Sequence, residues 1–221
     1  MSEHLGLARR VWLLGIFVFA VGAGAQETPR PADPAAAEEA REQRSMERFL
    51  SLVEKNPRRG TALDRVYGYH VERGTLDALI KNHQERVAKN PKDGTGWLIL
   101  GLLEGQRGQD AASVTALRQA ETTRPDDPLP PYYLGQALVL VGQPEQAAGA
   151  FERALGRKPA RSDLLEIFQA LGRVYQRTQK TDQALQVWNR LEALFPNDPR
   201  VQEQIASATR LRTVALSSSR G

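Results

Sequence analysis

The stretch PLPPYYLGQALVLVGQPEQAAGAFERALGRKPAR, residues 128–161, contains two apolar patterns of helical spacing separated by a glycine. Its first half carries Leu134 and Gly135, and Gly142 then marks a turn before Pro144, which suits the first position of a new helix. The second half ends at Pro159 and carries one large residue between two small ones: Ala147, Phe151 and Ala154. The stretch therefore predicts a unit of two helices joined by a tight turn.

Prolines repeat the end of this unit along the chain, at Pro57, Pro91, Pro125, Pro159 and Pro196. The first three intervals are 34 residues and the fourth is 37. A fixed period of this size is typical of stacked repeats. It divides the chain into a half unit at 45–57, four units at 60–93, 94–127, 128–161 and 165–198, and a capping helix at 199–216. The three extra residues, 162–164, are predicted to lengthen the first helix of the last unit.

The residue types within this period resemble the tetratricopeptide repeat (TPR). The matching residues are Trp97, Leu100-Gly101, Ala120, Pro125, Leu134-Gly135, Ala147, Phe151, Ala154, Pro159, Leu171-Gly172, Tyr175, Ala184, Trp188 and Pro196. The unit at 60–93 departs from the pattern, because Val66-Tyr67 stands where the family prefers Leu-Gly. The resemblance implies an all-α fold, a right-handed superhelical TPR solenoid of antiparallel helix pairs, over residues 45–216. Its small residues let paired helices approach and its large residues fill the gaps between them.

The N-terminus has the pattern of a secretory signal peptide. Arg9-Arg10 precedes an apolar run over residues 11–24, and Ala23-Gly24-Ala25 forms a small-x-small end. Residues 1–25 are therefore predicted to direct export to a bacterial periplasm or cell envelope, with no membrane span after cleavage. An uncleaved N-terminal membrane anchor is the alternative. A Pro/Ala-rich leader over 26–44 runs into a helix start, and residues 217–221 are predicted to be a disordered tail.

Composition narrows the possible chemistry. The chain has no cysteine, which excludes disulfides, thiol nucleophiles and cysteine-ligated metals. Its net charge is +4, but basic and acidic residues are interleaved, so nucleic acid is not a predicted partner. The three histidines, His4, His70 and His83, follow no metal-binding spacing, and no phosphate loop or nucleophile-elbow motif occurs. The sequence predicts no enzyme, no cofactor and no metal.

TPR stacks as a family bind peptides or proteins in a concave groove lined by the first helix of each unit. By this resemblance the groove positions here are Asp64, Gly68, Leu98, Leu102, Tyr132, Gln136, Val139, Gln169, Arg173 and Gln176, with Arg177 one turn after Arg173. The Lys, Asn and Arg set by which one subset of the family clamps a C-terminal carboxylate has no match.

These positions predict a groove that is apolar and aromatic in the middle and basic at its far end. Such a surface suits a protein or peptide partner with an apolar anchor, with or without an acidic group. Alternatively, the two arginines are ordinary solvated charges. Two other hypotheses about the chain remain. It is a self-associating structural element (a homo-oligomer) without a groove ligand, or it is the N-terminal part of a longer multi-repeat protein.

Overall fold

The computed structural model describes residues 34–218, which form ten α-helices and no β-strand. The helices are α1 Pro34–Lys55, α2 Thr61–Glu72, α3 Leu76–Lys89, α4 Gly94–Gln106, α5 Asp110–Thr123, α6 Leu129–Leu140, α7 Pro144–Gly156, α8 Arg161–Arg177, α9 Thr181–Leu194 and α10 Pro199–Ser218. The chain divides into two units, residues 1–40 and 41–221, and of the first only the opening turns of α1 are described. The predicted signal peptide, the leader up to residue 33 and residues 219–221 lie outside the described residues.

Three helix pairs form the body of the second unit: α4 with α5, α6 with α7, and α8 with α9. In each pair a glycine on the first helix faces a large side chain on the second. A Cβ added to Gly135 would lie 2.5 Å from the ring of Phe151, and Gly101 and Gly172 approach Leu117 and Trp188 in the same way. These contacts put the paired helices close together, and each pair stacks on the next. The predicted all-α solenoid of helix pairs is confirmed.

The first predicted unit, 60–93, keeps its two helices but loses the close pairing. Tyr67 and His83 stand one 34-residue period before Gly101 and Leu117. A bulky side chain thus replaces the glycine that would admit the second helix, and α2 packs far more loosely on α3 than α4 does on α5. A Cβ at the neighbouring Gly68 would meet nothing within 4 Å. Helix α2 is therefore held by contacts other than those of a standard helix pair.

The 37-residue interval is absorbed in α8, as predicted. Helix α8 has 17 residues, whereas α4 and α6 have 13 and 12, and residues 162–164 lie in its first turn. The other turns keep their phase: Gly108 and Gly142 adopt φ angles of 80° and 74°, and Gln179 takes the same left-handed conformation before α9. The capping helix, α10, buries Val201 and Ala208 and continues to Ser218, two residues beyond the predicted boundary.

Candidate partner-binding surface

The predicted groove residues on α4 are not on a free surface. Leu98 and Leu102 are both completely buried, so no partner can contact them in this conformation and their assignment as binding residues is wrong. Further along α4, a Cβ added to Gly105 would lie 3.3 Å from Nη2 of Arg59. Gln106 donates a hydrogen bond from Nε2 to Oδ1 of Asp64 on α2, at 3.1 Å. The start of α2 therefore covers this part of α4.

The loop between α1 and α2, residues 57–60, continues from there onto α6 and α8. The backbone N–H of Arg59 donates to Oη of Tyr133 at 3.0 Å, and its Nη1 donates to Oε1 of Gln136 at 2.8 Å. The Arg59 guanidinium also lies 5.7 Å from the centroid of the Tyr133 ring, within cation–π range. Arg58 Nη2 donates to Oδ1 of Asp163 at 2.5 Å. We call this loop the 57–60 loop.

The surface beneath the loop is aromatic and acidic. Tyr132, which the sequence placed in the groove, is buried, and its hydroxyl donates to Oε2 of Glu166 at 2.8 Å. Burial, followed by the hydrogen bond to Glu166, raises the pKa of Tyr132. Burial also raises the pKa of Tyr133, against the opposing effect of the Arg59 N–H. Both tyrosines are thus neutral hydroxyls near pH 7, and the negative charge of the surface comes from Asp163 and Glu166.

Asp163 is the buried acid of this surface, with a side chain only 12% exposed. It accepts the hydrogen bond from Arg58 and a weaker one from the Ser162 hydroxyl at 3.3 Å. Burial lowers the pKa of Arg58, but the hydrogen bond and the charge attraction to Asp163, with smaller contributions from Tyr133, together outweigh burial and raise the pKa. We call the group formed by Tyr132, Tyr133, Gln136, Asp163 and Glu166 the acidic–aromatic surface.

Two members of this surface, Tyr132 and Gln136, are groove positions of the repeat, whereas Tyr133, Asp163 and Glu166 are not. Arg58, Arg59 and Asp163 lie outside the groove positions of the repeat, so the resemblance gave them no role. Two signals were available, the adjacent arginines after Pro57 and the three-residue insertion at 162–164. Neither indicates by itself that the two segments meet in space.

At the far end of the groove, the predicted residues are accessible. Val139 and Arg177 line one shallow pocket of about 220 Å³, together with Gly142, Pro144, Val174 and Thr178. Arg173 is exposed one helical turn before Arg177. Neither arginine has a hydrogen bond or ion pair to another described residue. Leu140, beside Val139, is 60% exposed. We call this region the α6–α8 pocket.

The remaining predicted positions are spread over both ends of the groove. Gln169 and Gln176 are half-buried on α8, on the side that carries Arg173. Asp64 and Gly68 line a larger cleft of about 660 Å³ between α1 and α2, which exists because these helices pack loosely. No cluster of three or more metal-ligating side chains occurs among residues 34–218. Within the same residues, no helix combines the length and apolar character that crossing a bilayer requires.

Comparisons with known proteins support the fold. Residues 138–207 match a family model described as tetratricopeptide repeat. No curated protein matches the chain in sequence. The crystal structure of MamA aligns with a TM-score of 0.58 at 17% identity, covering 72% of this chain and 85% of that one. The structure of YrrB, described as a TPR protein with an unusual peptide-binding site, aligns with a TM-score of 0.56 at 15% identity, covering 76% and 85%.

At these identities the structural likeness is evidence of fold alone. The family match covers the last three residues of α6, all of α7, α8 and α9, and the start of α10. The glycine contact of the α8–α9 pair recurs at Gly135 and Gly101. The chain therefore has the fold of tetratricopeptide repeat proteins, and residues 138–207 match the model of that family.

Proposed function

We propose that this protein is a non-enzymatic interaction module that binds an extended segment of a partner protein at the α6–α8 pocket. The observation that carries the proposal is the pairing of an open apolar pocket with two arginines, Arg173 and Arg177, that have no partner among the described residues. Elsewhere on the groove, Asp163 and Gln136 are engaged with the 57–60 loop.

The size of the pocket favours a side chain over a small molecule. Small-molecule sites generally occupy about 300–1,000 Å³, and the α6–α8 pocket has about 220 Å³. Its walls include the apolar side chains of Val139 and Val174. One aliphatic or small aromatic side chain of a peptide would fill it.

The charge of the surface favours an acidic residue beside that anchor. Arg173 and Arg177 are four residues apart on α8, so their guanidinium groups lie on one face of the helix. A guanidinium can hold a carboxylate through two parallel hydrogen bonds. The partner segment we propose thus carries an apolar anchor residue and an Asp or Glu, in either order. The two residues are separated by about one helical turn or by about three residues of extended chain.

A peptide-display selection on the purified protein tests this proposal. We expect enriched peptides to combine an aliphatic residue with an acidic one, and to bind the Arg173→Glu/Arg177→Glu variant at least tenfold more weakly. The matched control is Lys81→Glu/Lys89→Glu on α3, which changes net charge equally at exposed positions. Peptides that bind the arginine variant and the wild type equally would remove the pocket as the binding site.

We further propose that the module acts outside the cytoplasm, in a bacterial periplasm or cell envelope. The support is the sequence of residues 1–25, with its basic start, apolar run and small-x-small end. N-terminal sequencing of the protein recovered from the periplasm of an expressing bacterium should begin at Gln26. A product that retains residues 1–25 and sediments with membranes would indicate the anchored alternative instead.

A further inference from the structure

The 57–60 loop makes contacts that stacked repeats do not ordinarily make. In a solenoid each repeat contacts its neighbours in the chain. Arg58, however, pairs with Asp163 across 105 residues, and Arg59 bonds to Gln136 across 77. The loop thus joins the half unit to the first unit, yet it contacts α6 and α8, the first helices of the third and fourth units.

The partner of Arg58 is supplied by the irregular part of the repeat. Asp163 is the middle residue of the three that lengthen the fourth unit, at 162–164. It is buried, and a buried carboxylate is costly unless a cation or several donors satisfy it. The insertion therefore creates a site for a guanidinium, and Arg58 occupies it in this conformation.

A second arginine position lies beside the first. The Arg59 side chain reaches Gln136 and lies over the Tyr133 ring, while its backbone N–H is held by the Tyr133 hydroxyl. An amide acceptor and an aromatic face are groups by which proteins recognise the planar guanidinium cation of arginine. The acidic–aromatic surface thus binds two consecutive arginines, Arg58 and Arg59. It contacts both of their side chains and the backbone N–H of Arg59.

We propose that the acidic–aromatic surface is a binding site for a partner segment with two adjacent arginines, and that Arg58-Arg59 is its internal ligand. The partner segment binds by displacing the 57–60 loop. The charge of the surface selects this occupant, because Asp163 and Glu166 line the site and, among residues 34–218, no basic side chain other than Arg58 and Arg59 lines it. This proposal stands independently of the α6–α8 pocket, which takes a ligand of opposite charge.

Displacement is feasible because the arginine contacts are polar and partly open to water. The Arg58 side chain is 38% exposed and Arg59 is exposed. Tethering gives an internal ligand an effective concentration on the order of millimolar. A free peptide with a Kd of about 10 µM for the vacant surface would therefore bind the wild type roughly 100-fold more weakly.

The test uses the labelled peptide EKNPRRGTA, which reproduces residues 54–62, and fluorescence anisotropy on the full chain. We expect the Arg58→Ala/Arg59→Ala variant to bind this peptide at least tenfold more tightly than the wild type does. Adding Asp163→Asn to that variant should weaken binding at least tenfold, and the control peptide EKNPEEGTA should not bind. Equal affinity for wild type and variant, or no binding to a folded variant, overturns the proposal.

A second measurement needs no substitution and covers the case in which the variant does not fold. Hydrogen–deuterium exchange of the wild-type amides at residues 58–61 should accelerate when EKNPRRGTA is added in excess and stay unchanged with EKNPEEGTA. Continued protection would make the loop a fixed part of the fold and contradict displacement. Light scattering, which measures the oligomeric state, completes the test. If the wild type is a dimer and Arg58→Ala/Arg59→Ala makes it a monomer, the arginines bind a second copy of the chain, and our proposal is wrong.

Discussion

The ion pair between Arg58 and Asp163 makes a sharp prediction about stability. The pair joins the 57–60 loop to α8 over 2.5 Å, and its two side chains are unequally exposed, at 38% and 12%. We predict that Arg58→Ala destabilises the fold more than Asp163→Asn does, although both remove the same contact. The asymmetry arises because the first change leaves a buried carboxylate unpaired and the second leaves an arginine that can turn to water.

The expected loss of stability lies between two limits, because the ion pair is neither fully exposed nor fully buried. Fully exposed ion pairs contribute about 0.2–1 kcal/mol, and breaking a fully buried pair costs about 3–5 kcal/mol. With one partner buried and the other more than a third exposed, we expect about 2 kcal/mol for Arg58→Ala and about 1 kcal/mol for Asp163→Asn. The coupling energy of the double-mutant cycle should be about 1 kcal/mol and should decrease as NaCl is raised to 1 M.

Urea unfolding measured by both circular dichroism and tryptophan fluorescence provides the assay. Trp188 is fully buried against α8, so its emission reports on the unit that contains Asp163. Each kcal/mol should also shift Tm by roughly 2–4 °C for a domain of this size. The control is Arg200→Ala on α10, whose side chain is 72% exposed and pairs with Asp198 just before the helix; the change should alter stability by less than about 0.5 kcal/mol.

Two results would refute this reasoning. If Asp163→Asn is the more damaging of the two changes, the carboxylate does not depend on Arg58 for its burial. If the coupling energy is below about 0.3 kcal/mol at low salt, the loop is not held on α8 in solution. Either outcome would also remove the structural basis for an internal arginine ligand.

Three further predictions test the packing, the buried histidine and the groove. Gly135→Ala should destabilise by about 1–2 kcal/mol, because a Cβ there would lie 2.5 Å from an aromatic ring of α7, whereas Gly68→Ala, with open space around its Cβ, should be neutral or stabilising in the same urea assay. Burial lowers the pKa of His83, so at low pH the unfolded chain binds more protons than the folded chain does. The free energy of unfolding should therefore fall as the pH drops below about 6.5. Urea unfolding curves from pH 8 to 5 should show that His83→Leu loses much of this pH dependence. In a chain without cysteine, Arg173→Cys should react rapidly with a thiol reagent and Leu98→Cys at least 100-fold more slowly, and comparable rates would contradict the burial of α4.

The helix pairs were predictable because their determinants are local. Gly135 and Phe151 lie 16 residues apart, and the same spacing joins Gly101 to Leu117. A period of 34 residues therefore carries both members of each contact within one unit. The loose packing of α2 was also visible in the sequence, since Tyr67 replaces the glycine of the other units.

The covering of α4 was predictable but was missed. A helix that lines an open groove needs polar residues on its exposed face. Helix α4 reads GTGWLILGLLEGQ and is apolar almost all round, which is typical of a helix buried on both sides. Leu98 and Leu102 were placed in the groove by analogy with the repeat, although their own helix indicated burial.

The contact between the 57–60 loop and α8 could not be read from the sequence in the same way. A periodic pattern specifies which neighbouring helices pack, and it says nothing about polar side chains that meet across the groove. Whether Arg58 reaches Asp163 depends on how far the stack curves and on where the insertion places the first turn of α8. The curvature of the stack and the position of the first turn of α8 both add up over three units. A small difference in each packing angle therefore becomes a large one at the contact.

The two irregularities of the repeat nevertheless explain each other. The first unit lacks the glycine that would fix α2 against α3, so α2 and the 57–60 loop need another attachment. The three-residue insertion supplies one by lengthening α8 and placing Asp163 where Arg58 can reach it. The same attachment fills the acidic–aromatic half of the groove and leaves the α6–α8 pocket open. A ligand at the α6–α8 pocket thus binds without displacing the loop, whereas an arginine-bearing ligand must compete with the loop. The two halves of the groove therefore differ in charge. They also differ in the intrinsic affinity that a ligand needs in order to bind.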